Sequence, residues 1–353
     1  MIDPDHFINN FSSLGSEFQK ALQIQDRRMD DHTSTRSFLA DAIENSCYHN
    51  PWFIPSFVCF AFSAWAEALD EEKVSHWIKT YLPGFREKNP ATVGIIMAGN
   101  IPLVGLHDLI CVLASGNHAL IKLSAADNQL IPAVLETLYM FNPEFRDRVS
   151  FAEGPIKNFD AIIATGSNNT SRYFDYYFSK YPHIIRKNRN GVAVITGNEK
   201  EDDLKKLADD IFMYFGLGCR NVSKLYLPEG FRMEEIFPFF SDYSFLSDMN
   251  KYRNNYDYQK SIMLINRIPH LDNGFLIVKA DASLISPISV INMETYHSIF
   301  TLNQHLLDLN EQIQCIVSCS KEVDSAIPPG RSQFPELWDY ADGADTMDFL
   351  NNL

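Results

Sequence analysis

Cys219 closes the segment Phe215-Gly216-Leu217-Gly218-Cys219, where glycines on its amino side let the backbone turn tightly and leave the sulfur approachable. A nucleophile needs that access and a core thiol does not. Arg220 and Lys224 stand close in sequence, and positive charge near a thiol favours thiolate. A cysteine in an ordinary loop is the competing reading. Asn100, in Ala98-Gly99-Asn100-Ile101-Pro102, ends an apolar strand and precedes the helix that Pro102 is expected to open. Its amide would sit at the carboxyl end of a parallel strand, where it could donate to a developing oxyanion or simply cap the helix. Lys122 ends the next strand and could meet a phosphate or a ribose, or point into water. In Ala164-Thr165-Gly166-Ser167-Asn168, a strand end, a small-residue turn and a helix start follow one another. Backbone amides there suit a pyrophosphate, although the run is not GxGxxG and an Asn/Ser cap explains it equally. Between Arg172 and Arg189 lie Lys180, Arg186 and Lys187, opposed only by Asp175, an island that could draw a nucleotide or the phosphates of coenzyme A. A solvated hairpin accounts for any single one of these charges.

These side chains need a scaffold. Residues from Phe7 to about Tyr81 carry helical spacing and read as an N-terminal helical region. From Thr92 the texture becomes strand, helix, strand: TVGIIMA, PLVGLHDLICVLA and HALIKLS. A helix over Asp127–Met140, a strand at Ala161–Ala164, a helix after Asn168 and a strand at Val192–Ile195 continue the alternation, which implies parallel βαβ units. EDDLKKLADDIFMYF follows the helical period through Phe215, with Glu201, Asp202 and Asp203 at the positive end of the dipole. KLYLP, FLIVK, SPISVI and CIVSC supply strands for a second α/β domain. The expected division is a helical region at 1–90, a cofactor-binding Rossmann-like domain at 91–196, a catalytic α/β domain at 197–330 and a tail at 331–353.

Composition narrows the partners. The 353 residues and 46% hydrophobic content suffice for two packed domains. Lys plus Arg number 30 against 45 Asp plus Glu, and a net charge of −15 argues against nucleic acid as a partner. The apolar run from Thr92 to Ile121 is interrupted by Asn100, Pro102, His107, Asp108 and Gly116-Asn117, so a soluble core explains it better than a membrane span. No secretory pattern opens the chain, and a cytoplasmic location is expected. The cysteines lack CxxC spacing, which predicts reduced thiols with no zinc site.

Taken in order, AGNIP, LIKLS, ATGSNNTSRYF and FGLGC follow the pattern of the aldehyde dehydrogenase superfamily. More narrowly, VGIIMAGNIPLVGLHDLICVLASGNHALIKLS, FGLGCRNVSKLYLP and PELWDYADGADTMDFL resemble the acyl-CoA reductases related to the fatty-acid reductase of bacterial bioluminescence. The resemblance spans roughly residues 90 to 350. It implies an aldehyde-dehydrogenase-like fold with two Rossmann-like α/β domains, and a homodimer or larger assembly. It also implies Asn100 as oxyanion donor beside the Cys219 amide, Lys122 at the adenosine ribose, and Thr165, Gly166 and Ser167 near the pyrophosphate. The implied reaction is reduction of a fatty acyl-CoA to an aldehyde with NADPH, NADH being the other candidate. Two departures stand out. Hydrolytic members place a glutamate where this chain has Arg186-Lys187-Asn188-Arg189-Asn190-Gly191, and without that base transfer to a thiol is favoured over hydrolysis. Members also carry a glutamate before an FGP motif, where SLISPISV offers only Ser283 and Pro287. Two further readings therefore stay open: an acyltransferase that has lost hydride transfer, and a non-catalytic assembly subunit using the aromatic N-terminal helices and the tail around Trp338.

Overall fold

Phe7, Phe11, Leu14, Phe18 and Ala21 recur every three or four residues, and all are buried along one face of α1 (Pro4–Asp31). In this computed structural model, which describes residues 4–31, 37–82, 89–166 and 168–353, three more helices follow: α2 (Phe38–His49), α3 (Pro55–Ala68) and α4 (Glu71–Tyr81). Their apolar faces join a core that also takes in the first sheet. The chain divides into two units, Met1–Asn188 with Phe334–Leu353, and Arg189–Gln333.

The first unit continues through β1 (Thr92–Ile96), α5 (Leu106–Ala114), β2 (His118–Lys122), α6 (Leu130–Phe141), α7 (Glu144–Asp147), β3 (Val149–Phe151), β4 (Ala161–Thr165), α8 (Asn168–Phe178) and β5 (His183–Arg186). The strands form a parallel sheet in the order β3-β2-β1-β4-β5. Chain order reverses beside β1, so the crevice outside the carboxyl ends of β1 and β4 is the switch point at which open α/β sheets hold ligands. β3 and β5 escape sequence reading because they are short edge strands with exposed residues, and edge strands lack the buried apolar run that announces a central one. β5 lies in the basic island that otherwise reads as a hairpin.

The second unit runs through β6 (Asn190–Val194), α9 (Glu201–Phe212), β7 (Val222–Pro228), α10 (Asn250–Ile265), β8 (Leu271–Asp272), β9 (Ile277–Ala280), β10 (Val290–Tyr296), α11 (Ile299–Asp308), β11 (Ile313–Val317) and β12 (Ala326–Ile327). Its seven strands are ordered β12-β11-β6-β7-β10-β9-β8, parallel except for the β8–β9 pair. β6 pairs with β7 and β11, so the strand expected to close the first sheet instead sits inside the second. SPISVI becomes strand only from Val290, because Pro287 accepts the Val290 N–H in a turn and Ser289 is left-handed. The chain ends with α12 (Thr346–Asn351) in the first unit. Among the described residues, no helix is long and apolar enough to cross a membrane.

Candidate active site

In the first unit, β1 leads into a loop that brings Asn100 to the surface. Gly99 leaves little room for a side chain there: a Cβ would lie 2.5 Å from Ser124 Oγ and 3.0 Å from Ala126 Cβ. Leu103 is left-handed at φ 61° and Gly105 at φ 89°. These turns delay α5 to Leu106, so Pro102 does not open the helix as its position suggests. Asp127 holds the arrangement: Oδ2 accepts from Leu103 N at 3.2 Å and Oδ1 from Leu130 N at 3.3 Å. Burial pushes the Asp127 carboxyl up from 3.8 to about 6, against the opposing pull of those N–H groups. The helix expected from Asp127 starts at Leu130, whose N–H the Asp127 side chain accepts, and the same carboxylate reaches back to the Asn100 loop.

Lys122 ends β2 half-buried, with Nζ 3.5 Å from the carbonyl oxygens of Ala152 and Glu153. Thr165 ends β4 and Gly166 follows, while Ser167 lies outside the described residues. A Cβ on Gly166 would meet Phe174 and Thr170 at 3.0–3.1 Å, so the missing side chain lets α8 fold back onto the strand end. Asn100, Lys122, Thr165 and Gly166 thus gather at the carboxyl edge of one sheet, around its switch point. That is where a dinucleotide fits a fold of this strand order.

The basic island is not one patch. Arg186 is buried and forms a two-pronged pair with Asp108, at 2.6 and 3.4 Å, and also donates to Ala341 O at 2.6 Å and Thr346 Oγ1 at 2.8 Å. It fastens β5 to α5 and to the tail and faces no solvent. Arg172, Lys180 and Lys187 remain exposed.

Cys219 belongs to the second unit and is partly exposed. Helix α9 stops at Phe212 although the apolar period runs on to Phe215, because Tyr214, Phe215 and Gly216 turn left-handed at φ 53°, 58° and 74°. The two non-glycine residues store about 1–3 kcal/mol each in that conformation, which the surrounding packing must offset. Both rings are buried, and Phe215 lies 6.0 Å from Tyr252. The chain then makes a turn, with Asn221 N bonded to Gly218 O at 3.1 Å, and enters β7. Arg220 Nε donates to Ser332 O at 2.6 Å. Lys224 is fully buried, 2.6 Å from Glu294 and 2.7 Å from Ala282 O, so its charge is balanced by a carboxylate and is not directed at the sulfur. Gly191, at the end of the Arg186–Gly191 stretch, lies close to the turn: a Cβ there would lie 2.7 Å from the carbonyl oxygens of Arg220 and Asn221. Sequence reasoning missed Asn221 and Asp127. An asparagine two residues after Cys219, where such side chains bond nearby backbone, was the available signal for the first.

Residues 69–241 match the model of the acyl-CoA reductase (LuxC) family. This segment, just under half of the chain, is similar to that family. Its members are oxidoreductases, and the segment contains Asn100, Lys122, Thr165, Gly166 and Cys219. Among solved structures, aldehyde dehydrogenase 21 from Physcomitrella patens, in complex with the reaction product succinate, is 13% identical with a TM-score of 0.58; the match covers 88% of this chain and 74% of that one. An aldehyde dehydrogenase of Mycobacterium tuberculosis complexed with NAD+ is 15% identical with a TM-score of 0.56, over 92% of this chain and 84% of that one. The NAD-dependent aldehyde dehydrogenase of Sinorhizobium meliloti is 12% identical with a TM-score of 0.56, over 89% and 71%. The fold is therefore that of the aldehyde dehydrogenases. A search of the curated proteins finds no match to this sequence.

Proposed function

We propose that the protein reduces an acyl-CoA, with a fatty acyl chain favoured, to an aldehyde through a thioester on Cys219. The observation that carries this reading is the Cys219 loop: a partly exposed thiol on a left-handed, aromatic-anchored turn, within the segment that matches the reductase family. The Cys219 thiolate attacks the thioester carbonyl, the C–S bond to coenzyme A breaks, and coenzyme A leaves as its thiolate. A reduced nicotinamide, when bound, would supply the hydride for this acyl carbon. Asn100 donates to the oxygen as negative charge gathers there, and collapse of the adduct returns the Cys219 thiolate and frees the aldehyde. Water lacks an activating base here: the stretch where hydrolytic relatives carry a glutamate is Arg186–Gly191, and Arg186 is locked in its pair with Asp108.

NADPH is the favoured cofactor, with NADH the alternative. The end of β2, where dinucleotide folds that take NAD place an acid against the ribose, presents Lys122, while the nearby carboxylate, Asp127, is buried on backbone N–H groups. Lys122, Thr165, Gly166 and Ser167 would hold the cofactor. A homodimer or higher homo-oligomer completes the reading, and an acidic chain using acyl-CoA suits the cytoplasm.

The test combines intact-mass measurement with NADPH absorbance, across acyl-CoA substrates of graded chain length. An acyl adduct that Cys219→Ser lacks, together with NADPH consumption and a trappable aldehyde, is expected. An equal adduct on Cys219→Ser refutes the assignment. An adduct on the native protein with no NADPH or NADH consumption selects acyl transfer, the reading that the missing glutamate near Ser283 and Pro287 favours.

A further inference from the structure

The left-handed turn before Cys219 is fixed on its side-chain surface by buried aromatic rings, but rings do not set the peptide groups of residues 216 to 219. A carboxamide holds the N–H of Gly218, beside the backbone bond from Leu217 N to Tyr214 O. Asn221 is 2% exposed, and its Nδ2 donates both protons, to Asp210 O at 3.1 Å and to Met213 O at 2.9 Å. Its Oδ1 accepts from Gly218 N at 2.8 Å. The first carbonyl lies in the last turn of α9 and the second on Met213, the residue that follows it, where helical partners run out, so the Asn221 side chain caps the helix from outside and ties it to the turn. Asn221 is itself anchored to the sheet, since β7 begins at Val222 and Gly191 allows β6 to approach its carbonyl.

We propose that Asn221 is the positioning residue for Cys219: its carboxamide locks helix end, turn and strand start into the one arrangement that aims the sulfur at a carbonyl carbon. The proposal rests on the nucleophilic reading of Cys219. It also removes the Gly218 N–H from the donors open to an oxyanion, because that hydrogen is bonded within the loop.

The test compares two reactions of Cys219 in the full-length protein. Iodoacetamide needs only an accessible thiolate, whereas p-nitrophenyl acetate also needs the sulfur aligned with a carbonyl and an oxyanion donor. The ratio of the two rates cancels changes in exposure or thiolate fraction. Asn221→Ala should lower the ester-to-alkylation ratio by at least about tenfold, since misplacement of a reacting atom by about 1 Å can cost far more than that. Asn221→Asp, which keeps an acceptor for Gly218, should fall between the two. Asn117→Ala removes an equally buried asparagine of the other unit, bonded to Ala91 N and Ser115 Oγ, and should leave the ratio unchanged. An unchanged ratio in folded Asn221→Ala overturns the proposal, as does an equal fall in Asn117→Ala. Should Asn221→Ala fail to fold, Asn221→Asp decides by the same ratio. Acetylation of the native protein by p-nitrophenyl acetate, with no adduct from any acyl-CoA, would sink the reductase reading while leaving the role of Asn221 to this ratio.

Discussion

The loop that presents Asn100 and the loop that presents Cys219 are both bent through left-handed residues, yet they are secured by different chemistry. In the first unit the fastener is a carboxylate, Asp127, on the N–H groups of Leu103 and Leu130. In the second it is the uncharged amide of Asn221, bridging carbonyls and one N–H. The ionisable group of the second unit stands one step away, because Asp210 puts its carboxylate on Gly330 and Ser332 and only its backbone oxygen on Asn221. A neutral clamp keeps its geometry at any pH, whereas a buried acid does not. The Cys219 loop is thus held by the pH-indifferent device, and the Asn100 loop by the titrating one.

Removing each presented side chain breaks the comparison most sharply. Cys219→Ala should abolish both acyl adduct and turnover. Asn100→Ala should keep the adduct detectable by mass while slowing NADPH consumption about 100-fold, the order lost with one oxyanion donor. A rate within threefold of native, on the order of measurement scatter against that 100-fold expectation, would remove Asn100 from the mechanism.

Next in size is the pH response. Burial raises the carboxyls of Asp127 and Asp210 to about 6 from 3.8, so the folded state binds these protons more tightly than the unfolded chain does. The stability this contributes is complete below about pH 4 and is lost as pH rises through about 6, on the order of 3 kcal/mol for each group. Thermal melts between those limits should show the slope these two acids contribute halved in Asp127→Asn and removed when Asp210→Asn is added. A slope untouched by both substitutions would show that neither acid titrates there.

The smallest contrast lies between two glycines. Gly191→Ala drives a methyl against backbone oxygens, 2.7 Å away, which cannot turn aside, while Gly99→Ala meets the side chain of Ser124 first. Overpacking of this kind should destabilise by about 2 kcal/mol at Gly191 and about 1 kcal/mol at Gly99. Urea unfolding midpoints measure both, and the reverse order would mean that the β6 approach is softer than the Asn100 loop.

The sequence carried the architecture wherever burial leaves a periodic trace. The central strands β1, β2 and β4 are apolar runs, and α9 shows the helical period because one face is packed and the other wet. It failed where tertiary contacts override local signals. Phe215 continues the period of α9 but is turned out of the helix by the loop that Asn221 holds. Arg186 reads as one more surface cation because its partners Asp108, Ala341 and Thr346 are far away in the chain. The candidate site residues were chosen from type and spacing, whereas Asp127 and Asn221 act through backbone contacts, for which the asparagine two residues after Cys219 was only a faint signal.

The tail has a consequence for assembly of the chain. Leu337, Tyr340, Met347 and Leu350 complete the core of the first unit, and Tyr340 takes a hydrogen bond from Trp77 Nε1 at 2.8 Å. Everything from Arg189 to Gln333 is thus an insertion that must be synthesised before its host can finish folding. A nascent chain thus has the whole inserted unit available to fold before residues 334–353 can complete the core of the earlier one.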